Sequence, residues 1–376
     1  MKEMQLTGIV MMTLMALSLV TLLPRRVKED RVANRSRWLM TIGLSLIAVQ
    51  FLIQYVTGLR ETNKTFAIIV NLAFFIPAAV HLSLNITNLI RQGRFKRLEV
   101  LIGPVVWIVS IGLLAFGLMG GEDSSRLLWA EIAASILYGL MQLCFSWFHL
   151  REMSRMELVL ANYYDEERDE LLSWMKLSIA MLALMTPLVP VFLFSSGWLM
   201  AGFALFMFLC IYYIWFCFVR YVLTGASNFM NEAEQSAEAE TREEAADDSI
   251  PASTVTDEAM QRASHAVECW MASGAYLRSG ITKPMAAQEM KLPAYLLSAW
   301  IKAQGYASYS RWITALRVEE AKRTLQAHPD WSNEAVADHC GISRSHFQRV
   351  FKQETGLSPA DFIVETRRAT SLQRGD

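Results

Sequence analysis

The chain has 376 residues, enough for two or more domains, and 53% of them are apolar against only 19% charged, an unusual balance for a soluble protein. Five cysteines (Cys144, Cys210, Cys217, Cys269 and Cys340) show no CxxC or metal-ligand spacing and fall in no predicted external loop, which excludes a disulfide framework as the organising device. The net charge of −1 conceals a strong segregation along the chain.

Seven apolar stretches fill the first 220 residues: about 4–23, 38–58, 66–86, 100–120, 127–148, 177–195 and 199–219. Each approaches the ~20 residues a helix needs to cross the hydrocarbon of a bilayer. The first lacks the basic n-region and cleavage site of a signal peptide, and basic residues, Arg25 and Arg26, follow it instead. It therefore reads as a retained span. The loops 24–37, 91–99 and 151–176 hold 14 Lys and Arg residues, and the alternate set holds 4. By the positive-inside rule the first set is cytoplasmic. Seven spans then put the N-terminus outside and the C-terminus in the cytoplasm.

Few ionisable groups lie within the spans. Glu131, near the outer end of the fifth, and His81, in the inner half of the third, are the candidate intramembrane sensing residues, although each is also readable as a structural group. Gln50, Gln54, Asn71 and Asn85 add polarity, and prolines such as Pro77 and Pro104 are expected to kink their helices. Charged residues at mid-depth and paired broken helices, as a transporter would carry, are not evident. In the loop 151–176 the run Asp165–Glu170 offers a docking surface for a basic domain. A solvated juxtamembrane face is the simpler reading.

From Thr224 to Thr256 the composition turns to Ala, Glu, Ser and Asp. Eight acidic residues there are offset by Arg242 alone. Like charges at i,i+4, Glu234/Glu238 and Glu240/Glu244, weaken a helix, so the stretch is expected to be a mobile acidic tether reaching roughly 30 Å. From Asp257 a helical period returns, with Met260, Ala263, Val267, Trp270 and Met271 on one side.

The most informative stretch is Asn333–Phe362. A short helix starts at Ser332 or Asn333, either a good N-cap. Gly341 breaks it with the left-handed conformation of a tight turn. Ser343 then caps a second helix with Phe347 and Phe351 on one face and Arg344, Ser345, Gln348, Arg349 and Lys352 outward. Two short helices around a tight turn, the second cationic outward, describe a helix-turn-helix with its reading helix. A shift of 50 positions superposes Ala337 on Ala287, Ile342 on Leu292, Phe347 on Leu297, Phe351 on Ile301 and Lys352 on Lys302. The motif is therefore a tandem pair, at 283–303 and 333–354, joined by one long helix over 309–326.

The run Leu316–Lys322, followed by Val336-Ala337, Gly341, Phe347, Phe351-Lys352, Gly356 and Pro359, resembles the AraC/XylS family of transcription regulators over about residues 265–368. The chain departs from the family at Lys291, where a glycine is usual, at Ile363, where an arginine is usual, and in a shorter Gly341–Phe347 interval. The resemblance implies binding to double-stranded promoter DNA, more often activation, with RNA polymerase as a partner and a homodimer as one possible assembly. It places Tyr295, Ser298, Ala299 and Lys302 on the first reading helix and Arg344, Ser345, Gln348, Arg349 and Lys352 on the second. Arginine pairs bidentately with guanine and glutamine with adenine, so the second helix is expected to carry more of the base readout. Ala287, Leu297, Ile301, Trp312, Leu316, Ala321, Leu325, Ala337, Phe347, Phe351 and Phe362 are assigned to the core.

The expected architecture is all α: a seven-transmembrane-helix bundle over 1–222, an acidic linker over 223–256 and an AraC-type DNA-binding domain over 257–376. The expected location is the bacterial inner membrane. No Gly-rich phosphate loop, HExxH, nucleophile–base pair, or kinase or receiver signature occurs. No enzymatic activity, cofactor or metal is expected. The alternative is a membrane receptor or transporter whose C-terminal module binds a protein partner.

Overall fold

The computed structural model describes residues 2–121, 124–166, 169–193, 198–246 and 257–374. It is all-helical, and no strand occurs among the described residues. In chain order the helices are α1 (Lys2–Thr21), α2 (Arg25–Glu29), α3 (Arg31–Thr57), α4 (Leu59–Thr62), α5 (Lys64–Ile90), α6 (Arg97–Leu118), α7 (Ser125–Tyr163), α8 (Asp169–Leu193), α9 (Trp198–Thr224), α10 (Ala226–Ala246), α11 (Asp257–Ala272), α12 (Lys283–Glu289), α13 (Ala294–Ala303), α14 (Tyr309–Ala327), α15 (Asn333–His339), α16 (Arg344–Thr355) and α17 (Pro359–Arg374). The chain divides into two compact units. One comprises 1–156 and 170–231, the other 157–169 and 232–376.

The first unit holds the apolar helices. Six of them, α1, α3, α5, α6, α7 and the stretch Ala201–Thr224 of α9, are long and apolar enough to cross a membrane. The sixth expected span, 177–195, falls on α8, and its residues 194 and 195 lie outside the described residues. The bundle reverses the distribution of a soluble core. Leu14, Leu17, Ile108, Ile136, Leu140, Leu205 and Leu209 are all more than half exposed, whereas Gln50, Gln54, Asn71, Ser83, Asn88 and Gln142 are buried. An apolar exterior around a polar interior is what hydrocarbon solvent selects.

Those polar groups join helices. Asn71 Oδ1 on α5 accepts from Gln50 Nε2 at 2.5 Å and Gln54 Nε2 at 2.6 Å, both on α3. Asn88 donates to Ser36 Oγ and to the Val32 carbonyl. Thr87 on α5 meets His149 on α7 at 2.8 Å. Pro77, inside α5, has no N–H and so deprives the Ala73 carbonyl of its helical partner. The Trp107 indole of α6 donates to that carbonyl at 2.9 Å.

Within the second unit, two clusters follow the tandem repeat. The first gathers Val267, Trp270, Ala287, Leu297, Trp300, Ile301, Trp312 and Ile313, with Leu316 against it. The second gathers Val318, Ala321, Leu325, Val336, Ala337, Phe347, Val350 and Phe351, with Phe362 against it. α14 contributes to both, so its opposite ends hold the two motifs together. Every residue assigned above to the core is found there, buried or packed against it.

One expectation is corrected. Residues 226–246 form the helix α10, not a mobile coil. The i,i+4 repulsions cost a few tenths of a kcal/mol each, and alanine and glutamate are strong helix formers. Ala233 and Glu234 are moreover buried, at 1% and 5% exposure. The remaining linker residues, 247–256, lie outside the described residues.

Candidate nucleic-acid interface

The first motif consists of α12 and α13. α12 starts after Thr282 with Pro284 in its first turn, a position where the missing N–H costs nothing. The turn to α13 passes through Lys291 at φ +57°, a left-handed conformation costly for a side chain. The second motif consists of α15 and α16. Ser332 caps α15, its side chain accepting from Ala335 N at 3.1 Å. The turn passes through Gly341 at φ +69°, where a Cβ would stand 2.0 Å from the Leu277 carbonyl oxygen. Only glycine fits this turn.

The second reading helix presents Arg344, Ser345, Gln348, Arg349 and Lys352, all exposed, on the face opposite Phe347 and Phe351. Arg344 pairs with Glu334 and lies 3.2 Å from Asp338. The Asp338 hydrogen bond and the two carboxylates beside it hold its guanidinium above the usual arginine value. On the first reading helix Lys302 is exposed and Ser298 and Ala299 are half-buried. Tyr295 departs from expectation: it is 9% exposed and belongs to the first core cluster. Beside Leu296 and Leu297, its ring is drawn into the packing.

Electrostatics beneath the reading helices are set by ion pairs. Glu289 binds Arg278 through both oxygens, at 2.5 and 2.6 Å, and accepts from the Trp270 indole at 2.8 Å. These bonds, the Arg278 bond foremost, hold its carboxyl below the ordinary range. Burial pushes the Cys340 thiol up to about 11. Arg317, 1% exposed on α14, donates to the Tyr276 and Arg278 carbonyls at 2.8 and 2.7 Å and to Asp165 Oδ2 at 2.8 Å.

The carboxylates around this domain do not all come from its own helices. Asp165 also accepts from Gly280 N at 2.7 Å. Glu166 accepts from Ser343 N at 2.7 Å, so the start of α16 is capped by Glu166. The Ser343 side chain, expected to cap the helix, makes no cap hydrogen bond. Glu240 of α10 pairs with Lys283 and accepts from Ser298 Oγ at 2.6 Å. The acidic run at 165–170 is thus not simply a solvated face, since Asp165 is 3% exposed. The sequence points to that run as a docking surface for a basic domain but does not name its partner residues, and it names no partner for the acidic tether.

In the bundle, Glu131 is 4% exposed and its Oε1 has no hydrogen-bond partner. His81 Nδ1 lies 2.7 Å from the Pro77 carbonyl, an ordinary intrahelical contact. A cavity of about 110 Å³ opens elsewhere among the helices, lined by Gln50, Gln54, Asn71, Tyr138, Gln142 and Arg60 together with apolar residues. Neither Glu131 nor His81 lines it. Gln50 Oε1, buried, has no partner. No group of three or more His, Cys, Asp or Glu residues able to hold a metal occurs among the described residues.

Compared with known families, residues 286–369 match the family model described as a helix-turn-helix domain. No curated protein and no solved structure matches the chain. The matched segment contains all of α13 to α16 and most of α12 and α17. Residues 286–369 therefore form a helix-turn-helix domain of AraC type, carried behind a set of long apolar helices.

Proposed function

We propose that the chain is a transcription activator held in the bacterial inner membrane, with the tandem motif in the cytoplasm and the helix bundle as its sensor. What carries this reading is the coincidence of two independent patterns. The basic loops assign one side of the bundle to the cytoplasm, and a seven-span count puts the helix-turn-helix domain on that side, where DNA is. Arg344, Gln348 and Arg349 read base edges, with Ser298, Ala299 and Ser345 on the same faces, while Lys302 and Lys352 hold phosphates. Tyr295 supports the first reading helix from below. Promoter DNA, RNA polymerase, lipid and, at paired sites, a second copy are its partners.

A sensing role is supported by the construction of the bundle. An anchor needs one span, whereas this chain maintains several around a cavity with unpaired amide oxygen and, separately, a buried Glu131. Ligands favour such concave, mostly apolar sites with few polar groups. Replacing residues 1–219 with one unrelated span tests the reading. Lost or constitutive promoter output supports sensing, and an unchanged, signal-responsive output reduces the bundle to an anchor. A reporter after Arg220 is expected in the cytoplasm and one at Gly121 outside; the opposite labelling overturns the topology.

A further inference from the structure

Two carboxylates from outside the matched segment lie on the two helix-turn-helix motifs, and both occupy groups that nucleic acid would need. Glu166 accepts the Ser343 N–H at 2.7 Å. That N–H opens α16, and helix N-terminal amides are where DNA phosphates bind. Its second oxygen lies 4.0 Å from His346 Nδ1. On the other motif, the Ser298 hydroxyl donates its one proton to Glu240 at 2.6 Å and accepts from Lys283 Nζ at 2.9 Å. Lys283, the cation at the start of the first motif, is neutralised by the same Glu240 and is 4% exposed.

We infer that residues 157–166 and α10 are an internal competitor for DNA, occupying the Ser343 amide and the Ser298–Lys283 pair with carboxylates that take the place of phosphates. The inference rests on the DNA-binding reading above and adds its regulation. The competition is exclusive for a geometric reason. One N–H cannot donate fully to Glu166 and to a phosphate, and the Ser298 proton cannot serve Glu240 and a base edge together. The occupant also has the right sign and reach: Glu166 and Glu240 are both anionic, and both segments are continuous with apolar helices, α7 and the α9–α10 stretch. A displacement of either helix end is therefore transmitted along the chain to the block. Asp165 holds the first arm in register through Arg317 and Gly280. The outward face of α16, Arg344 to Lys352, stays exposed, so the blocked state retains charge for an initial encounter with DNA but not the bonds that lock it in place.

The test uses the full chain in lipid nanodiscs and a short mixed-sequence DNA duplex at low salt. Glu166→Gln/Glu240→Gln keeps the shapes and removes both charges. Glu258→Gln/Glu268→Gln removes the same charge from exposed positions on α11. The amide of Ser343 is expected to be protected from hydrogen exchange in the parent protein and faster in the first variant. Duplex affinity is expected to rise at least about tenfold in the first variant and to stay near the parent value in the second. An equal rise in both makes the effect one of bulk charge and overturns the inference. Equal affinity in parent and first variant, or an unprotected Ser343 amide in the parent, overturns it too and leaves the DNA-binding reading standing. Absence of duplex binding in all three, with the amides of α14 still protected, overturns both. Should the double variant lose that α14 protection, Glu166→Gln alone carries the same expectations.

Discussion

Arg317 Nη2 lies 2.8 Å from Asp165 Oδ2, and the two side chains are 1% and 4% exposed. The arginine belongs to the matched segment 286–369, and the aspartate lies more than a hundred residues earlier. A guanidinium this deeply buried needs a counter-ion, because desolvating an unpaired charge costs several kcal/mol. The DNA-binding domain is thus completed by a residue that its family model does not contain. The Tyr309 phenol, which donates to the Ile281 carbonyl at 3.1 Å, is raised well above its ordinary value by burial and then by Asp165.

Asp165→Ala therefore leaves Arg317 buried and unpaired, and is expected to destabilise the second unit by about 3–5 kcal/mol. Proteolytic resistance of residues 257–374 in the full chain, read against denaturant, measures this. A loss below about 1 kcal/mol would show that the Tyr276 and Arg278 carbonyls suffice for Arg317.

The two turns make opposite predictions. Gly341→Ala adds a Cβ at positive φ against the Leu277 carbonyl oxygen, for an expected loss of roughly 2–4 kcal/mol. Lys291→Gly relieves a left-handed side chain and is expected to add about 1 kcal/mol. Thermal unfolding of both variants decides, and a stabilised Gly341→Ala is incompatible with the turn described.

At the interface, Arg349→Ala is expected to cost about 1–3 kcal/mol at a preferred site and to relax discrimination there. Lys352→Ala is expected to weaken all sequences alike and lower the salt slope by about one. Binding titrations across salt concentrations separate them. Identical behaviour of the two variants removes the distinction between base reader and phosphate clamp.

Thiol chemistry follows burial. Cys269 is exposed, and Cys340 is buried with its thiol pushed up to about 11. The thiolate is the reactive form. At neutral pH a maleimide is therefore expected to modify Cys269 and spare Cys340 until the domain is denatured, with Cys340 reactivity rising only as pH approaches its raised value. Peptide mapping after labelling checks both sites, and early modification of Cys340 contradicts the packing of α15.

The carboxyl of Glu289 is held below its ordinary range by Arg278. Its stabilising effect is thus present above the unfolded carboxylate value and is lost as pH falls through the lower folded one.

Most of the architecture was legible without coordinates because it rests on local rules. Apolar length alone marks a span, so the stretches at 4–23, 38–58, 66–86, 100–120, 127–148 and 199–219 all lie on long helices. Glycine at Gly341, phenylalanines four apart at Phe347 and Phe351, and the 50-residue echo are short-range constraints. They located both motifs, the connecting helix and the core residues before any packing was known. Three things needed the tertiary structure. Tyr295 is amphipathic, and only the neighbours of α13 decide whether its ring faces water or core. For residues 226–246, charge repulsion and alanine propensity oppose each other within a few tenths of a kcal/mol per pair, so burial of Ala233 and the Lys283–Glu240 contact tipped the balance to helix. Asp165, Glu166 and Glu240 sit in acidic runs that look alike in sequence. Their partners Arg317, Ser343 and Lys283 lie 43 to 177 residues away, and no local pattern encodes a pairing at that separation; it exists only once the helices have packed.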